Sequence, residues 1–319
     1  NSGNLIATIK GERRDLPAIM LNAHMDTVKP GIGVKPVIDG DMIKASGDTI
    51  LGGDDKAGVA IILEIARILK EEKIPHGDLL IVMTVAEEIG IKGAGALDPK
   101  YLKADFGYTL DCTGTAGGIF VASPTHDKIE ARITGRAAHA GIEPEKGISA
   151  ILTASKAISK MKLGRIDDET TANVGVIRGG RATNIIPDSV LIEAEARSHN
   201  TAKLDEQVAM MRGALETAAS EAGAQIDLKI IREYQNYKLT EDMPVIKVAQ
   251  AVARSIGIEP ILKTSGGGSD ANIFNAHGLP TAPLGTAMHN CHTMDEDISI
   301  SELECVFEYV MAIAKNPVV

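Results

Sequence analysis

Five short stretches of the chain place acids or histidines directly behind apolar runs or helix starts. His24-Met25-Asp26 follows the run 16–23, and Asp54-Asp55-Lys56 follows Leu51-Gly52-Gly53 ahead of a helical pattern. Glu87-Glu88 closes the run 79–86, Asp111-Cys112 closes 106–110, and His289-Asn290-Cys291-His292 lies near the C-terminus. Each stretch alone has an ordinary explanation, such as an acid in the first turn of a helix or a solvated pair at a strand end. Gathered in one place, one histidine with two or three carboxylates is a donor set for a divalent cation such as zinc, manganese or cobalt. The adjacent acids Glu87 and Glu88 would repel each other unless a cation or a proton stood between them. One of them can bind metal while the other takes a proton as general base. Asp26, two residues after His24, can orient the imidazole. At the C-terminal stretch His289, Cys291 and His292 compete for a ligand role.

A sheet is needed to bring these groups together. The runs 16–23 and 79–86 are continuously apolar, as suits parallel strands covered on both faces, and 106–110 is a weaker third. Val59, Ile62, Ile65, Ala66 and Leu69 recur at helical spacing after the Asp54-Asp55 pair. Strands alternating with helices predict an α/β unit with a mostly parallel sheet. His24, Asp54, Glu88 and Asp111 all fall at or just beyond the C-terminal end of a predicted strand, or in the loop leading from it, and that is the edge where open α/β sheets bind ligands.

The pattern changes at Ser123-Pro124. Ile129, Ala131 and Ile133 alternate with polar residues, which is the mark of a half-exposed strand. A helical pattern at Ile148, Ile151, Leu152, Ser155 and Ile158 follows, then strands near 172–178 and 190–197. A helix carrying Leu204, Val208, Met211 and Leu215 comes next, and a strand over 224–232 ends the series. The order β-α-β-β-α-β is the split-βαβ signature. The expected organisation is therefore a discontinuous unit, 1–123 and 235–319, with an inserted α+β domain over 124–234.

Composition limits the function. The 319 residues carry a formal net charge of −10 with a pI near 5.3, which argues against nucleic-acid or anionic-membrane partners. No apolar run reaches the length of a membrane span. Three cysteines are too few for a disulfide framework and point to a reducing, cytoplasmic compartment. The loop Ser265-Gly266-Gly267-Gly268-Ser269 before a helix is a possible anion cradle. It lacks the Gly-Lys-Ser/Thr ending of a phosphate loop.

In chain order, AHMDTV (23–28), LGGDDKAG (51–58), VAEEIG (85–90), LDCTG (110–114), GRAAHAG (135–141), ATNIIPDSV (182–190), GGGSDAN (266–272) and HNCHTMDE (289–296) resemble the M20 metallopeptidase family. Within it they are most similar to the peptidase T-like aminopeptidases. The resemblance implies a di-metal α/β domain and an inserted ferredoxin-like lid. It implies two divalent ions, zinc first, with manganese or cobalt as alternatives. Asp54 would bridge them, with His24 and Asp111 completing one shell and Glu88 and His292 the other. Glu87 would be the general base, and Asp26 would hold the other ring nitrogen of His24. A cis peptide bond between Asp54 and Asp55 is implied as well. His139, Asn184 and Arg197 match lid residues that contact substrate, and Gly267, Gly268 and Ser269 match a loop lining the pocket. The aspartate at 111, where related deacylases generally carry glutamate, favours a short peptide substrate over an N-acyl amino acid. Lid domains of this kind pair through an edge strand, so a homodimer is expected. The chain starts with Asn, and the family begins with helices ahead of the first strand, so a preceding segment is expected.

Overall fold

The computed structural model describes residues 2–318, and the chain divides into two compact units. One ends at Ser123 and resumes at Tyr237; the other is Pro124–Asn236.

The first unit is built on an eight-stranded mixed, mostly parallel sheet. Its order from one edge is Leu5–Ile9, Leu79–Thr84, Ile19–His24, Phe106–Cys112, Thr281–Gly285, Gly118–Ser123 and Tyr237–Lys238, with Ile261–Thr264 also pairing on Gly118–Ser123. Ile19–His24 and Leu79–Thr84 are buried at every residue, as their largely apolar sequences suit. They run parallel in register, Ile19 opposite Leu79 and His24 opposite Thr84, and Ile19–His24 is also parallel to Phe106–Cys112. That alignment brings three strand C-termini to one edge. The helix Gly53–Glu71 buries Ala57, Ile61, Ile62, Ile65 and Leu69, and the helix Ile300–Lys315 buries Val306, Tyr309, Val310 and Ile313. All join one core cluster with the strands. Each large apolar side chain fully buried there stabilises the unit by roughly 1.5–3 kcal/mol. Two buried tyrosine hydroxyls are satisfied, Tyr108 donating to Val245 O at 2.7 Å and Tyr309 to Ala249 O at 2.8 Å, whereas the buried Tyr237 hydroxyl has no hydrogen-bond partner among the described residues.

A separate four-stranded sheet, in the order Met288–His289, Asp297–Ser299, Met42–Ala45 and Pro36–Asp39, pins both ends of the loop 290–296. Sequence periodicity did not announce its strands, which are only two to four residues long. Nor did it announce the exposed edge strand Leu5–Ile9, antiparallel to Leu79–Thr84. Among the described residues no helix is long and apolar enough to cross a membrane.

The Pro124–Asn236 unit is an antiparallel sheet ordered Gln225–Tyr234, Thr125–Thr134, Ser189–Ser198, Thr170–Gly179 and Gly164–Arg165. The helices Ala150–Ser159 and Thr201–Ala222 share its core. Burial along Ser189–Ser198 alternates residue by residue, as one covered face dictates. The helix Ala150–Ser159 corrects the sequence pattern. Its buried face is Ala150, Thr153, Ala154 and Ala157, whereas Ile151 and Leu152 are exposed. Small side chains let this helix lie close to the sheet and to Thr201–Ala222, and the larger residues have no room on that side.

At one end of this sheet His126 stands between two carboxylates, Nε2 3.1 Å from Glu195 and Nδ1 3.2 Å from Glu233. Arg197 forks onto the same Glu195 at 3.2 and 3.0 Å. The hydrogen bond from His126, working against burial and aided by Arg197, lowers the Glu195 carboxyl from 4.5 to about 2. A depressed acid adds stability above its unfolded pKa, and that stability is lost as pH falls through the folded one. Glu195→Gln should therefore leave less acid sensitivity between pH 4.5 and about 2. Unfolding midpoints across that range check this, and identical profiles for the two proteins would contradict it.

Candidate metal centre

The parallel alignment sets the positions. His24 ends its strand, Asp111 is the penultimate residue of Phe106–Cys112, and Glu87 and Glu88 follow Leu79–Thr84 by three and four residues. Asp54 and Asp55 open the helix Gly53–Glu71 with non-helical backbone (φ −80°, ψ 103° and φ −118°, ψ 40°), and the peptide between them is cis. Gly52 precedes them at φ 74°, a conformation that favours glycine.

The carboxylate of Asp54 faces two imidazoles, one oxygen to each. Oδ1 is 3.0 Å from His24 Nε2 and Oδ2 is 3.2 Å from His292 Nε2. His24 Nε2 is 3.8 Å from Asp111 Oδ1, and His292 Nε2 is 3.2 Å from Glu88 Oε1. Ligand atoms of His24, Asp54 and Glu88 lie within 4.8 Å of one another, as do those of His24, Asp55 and Asp111. The structure thus gathers His24, Asp54, Glu88, Asp111 and His292. Of the three C-terminal competitors, His289 is engaged elsewhere, by Asp297 at 2.9 Å and Glu302 at 3.1 Å. Cys291 lies half-buried against the core.

The electrostatics of this cluster suit added positive charge. Burial lowers the His24 pKa, but the Asp54 hydrogen bond and the charges of Asp111, Asp55 and Glu87 outweigh it and push it up to about 12. Hydrogen bonds to Asp54 and Glu88 hold His292 up at about 10. Burial opposes ionisation of Asp54, yet its bonds and proximity to both histidines keep it below the usual range. Burial drives Asp55 and Asp111 upward, with neighbouring carboxylates adding to the effect. Burial, offset in part by His24 and reinforced by Asp270, Glu88 and Asp54, raises Glu87 to about 8. Glu88 Oε1 is fully buried, with His292 Nε2 as its close partner. Oxygen and nitrogen atoms converging on shared space in this way fit divalent cations.

A surrounding layer holds these groups in place. His24 Nδ1 is bonded by the main-chain oxygen of Asp26 at 3.0 Å, and the Asp26 carboxylate lies 3.7 Å away. That carboxylate instead accepts the N–H groups of Glu87 and Glu88 at 3.1 and 3.3 Å. Asp26 therefore ties the His24 strand to the Glu87-Glu88 turn. Three acids that sequence reasoning left without a role join it. Asp55, fully buried, accepts from His24 N and Gly58 N, both at 3.1 Å. Glu296 is buried and accepts from Gly52 N at 2.7 Å and Asp54 N at 2.8 Å. Asp270, also buried, accepts from Asn22 at 3.2 Å and from the Thr84 hydroxyl. Each of the three lay inside a quoted motif, but nothing in the spacing set it apart from a loop or capping acid.

The remaining expected residues are distributed between the units. Ser269 caps the helix Asp270–Ala276, and Gly267 O accepts from Ser123 Oγ at 2.8 Å, with Gly268 between them. In the Pro124–Asn236 unit His139 and Asn184 are exposed on neighbouring segments joined by the Ala140 N to Asn184 O bond at 2.9 Å. Arg197 is half-buried and held by Glu195.

Comparison with known proteins places this geometry. Residues 20–316 match peptidase family M20/M25/M40. The chain belongs to this family. It is 49% identical over 315 residues to the uncharacterized protein YqjE of Bacillus subtilis, covering 99% of this chain and 85% of that one. Among solved structures it resembles the aminopeptidase PepT of Bacillus cereus, at 47% identity and TM-score 0.87, covering 99% of this chain and 85% of that chain. A tripeptidase of Staphylococcus aureus is 43% identical with TM-score 0.91, covering 98% of this chain and 83% of that one.

The Glu296 clamp can be tested by substitution. Glu296→Gln replaces one buried acceptor with a donor facing an N–H group. It should cost about 2–3 kcal/mol of stability and loosen metal binding through displacement of Asp54. Denaturant unfolding and metal titration check this, and wild-type values in both would contradict it.

Proposed function

We propose that this protein is a metal-dependent aminopeptidase that removes the N-terminal residue of short peptides, tripeptides foremost. The carrying observation is the Asp54 carboxylate set between the His24–Asp111 and His292–Glu88 pairs, with Glu87 beside it. The names of the PepT aminopeptidase and the tripeptidase supply the reaction class. Asp111, in place of glutamate, favours a peptide over an N-acyl amino acid.

His24 and Asp111 would hold one divalent ion and His292 and Glu88 the other, with Asp54 shared, and zinc suits this donor set first, with manganese or cobalt as alternatives. Bound there, such ions would supply Lewis-acid polarisation of the scissile carbonyl and a lowered pKa for the attacking water. Their positive charge beside Glu87 would lower its raised pKa and leave it a carboxylate at neutral pH. Glu87 then takes the proton from water during attack and returns it to the leaving amine. Asp26 keeps Glu87 aimed by holding its N–H.

His139 is proposed to stabilise the developing oxyanion, and Asn184 and Arg197 to grip the peptide backbone or terminal carboxylate. Gly267, Gly268 and Ser269 would line the pocket. A cytoplasmic location and a homodimer through the Pro124–Asn236 unit belong to the same proposal.

Glu87→Gln should lower turnover of a tripeptide about 10²–10⁴-fold while metal content stays that of the wild type. Wild-type turnover in the variant would remove Glu87 from its role. Chelation should abolish tripeptide hydrolysis and zinc, manganese or cobalt should restore it. Hydrolysis that survives chelation would contradict the metal requirement. Faster cleavage of N-acyl amino acids than of tripeptides would turn the assignment to a deacylase.

A further inference from the structure

The Pro124–Asn236 unit carries a second concentration of charge, opposite in sign and formed by side chains with no part in the proposed reaction. Across three adjacent strands Arg132, Leu191 and Arg178 are direct register partners. Directly opposed residues of antiparallel strands share a face. All three line an open cleft of about 340 Å³, whose rim also includes Arg181, Asp188 and Gly180.

The charges in this cleft do not cancel. Arg181 is matched by Asp188, at 3.1 and 3.3 Å. Arg132 and Arg178 are exposed, and among the described residues neither has an ion-pair partner. Asp227, the register neighbour of Arg132 on its other side, makes no ion pair with it. Two strand spacings of about 4.8 Å separate the arginines, with the half-buried Leu191 as floor between them. Two exposed guanidinium groups two strand spacings apart, neither held by a carboxylate, leave both forks available to an anion seated in the cleft. Each guanidinium presents a planar fork that matches carboxylate or phosphate oxygens. Gly180, at φ +83°, keeps the rim beside Arg181 free of a side chain.

We propose that this cleft is a binding site for a small oxyanion carrying two or more negative charges, held between the guanidinium groups of Arg132 and Arg178. A phosphate group and a dicarboxylate share that chemistry. Anion binding there does not depend on the proposed peptidase reaction.

The test is isothermal titration of the metal-loaded full chain with inorganic phosphate and with succinate, against chloride at matched ionic strength. Saturable binding of either anion should weaken at least about tenfold in the double variant Arg132→Gln, Arg178→Gln, since both charge-assisted forks are lost. Arg132→Lys keeps the charge and loses the fork, so it should weaken binding less. It also carries the test if the double variant does not reach the wild-type thermal midpoint. Tripeptide hydrolysis without added anion should match the wild type in both. Tighter binding of phosphate would identify a phosphorylated ligand, tighter binding of succinate a dicarboxylate, and either supports the site. Absence of saturable binding, binding no different from chloride, or binding undiminished in these variants would overturn the proposal; the last would place the anion at the metal centre instead.

Discussion

The structure of the first unit turns on a surplus of buried negative charge at one sheet edge. Asp54, Asp55, Glu87, Glu88, Asp111 and Asp270 converge there, with the imidazoles of His24 and His292 as the cationic groups among them. Carboxylates taken out of water repel one another strongly, and the fold can keep them together only by adding protons or cations. The upward shifts of Glu87, Asp55 and Asp111 and the protonated histidines are one expression of that constraint. Divalent cations satisfy it with far better geometry, because their ligands must be deprotonated and close.

The rest of the unit holds that cluster against its own repulsion. The buried parallel strands fix the height of His24, Glu88 and Asp111 through register. The clamps act through main-chain N–H groups: Asp26 on Glu87 and Glu88, Asp55 on His24 and Gly58, Glu296 on Gly52 and Asp54. Each joins two segments far apart in sequence. The small sheet around Asp297–Ser299 anchors the loop that brings His292 in, with His289 pinned to Asp297 and Glu302. Rigid support of this kind is what a site dependent on ångström-scale placement requires.

The parts of this account that could be read in the sequence follow from periodicity and strand ends. Leu79–Thr84 is apolar up to its last residue because both faces are covered, so the position of Glu87-Glu88 beyond its end was legible. The five clustered residues came from strand ends together with motif resemblance. What stayed hidden depends on long-range partners. Glu296 acts on Gly52 and Asp54, about 240 residues earlier, and no local pattern marks it. The chain's short strands carry too few residues to show a period. On Ala150–Ser159 the apolar pattern pointed to the wrong face, because tight packing selected alanine and left Ile151 and Leu152 outside. The role of Asp26 was legible only in part: its main chain, not its carboxylate, holds the His24 ring.

Metal content of the chain purified without chelator, measured by elemental analysis, tests the central claim most directly. About two divalent ions per chain are expected, falling in Asp54→Asn, which alters the shared carboxylate. No bound metal, with none taken up from zinc or manganese, would contradict the reading of these carboxylates as a cation site.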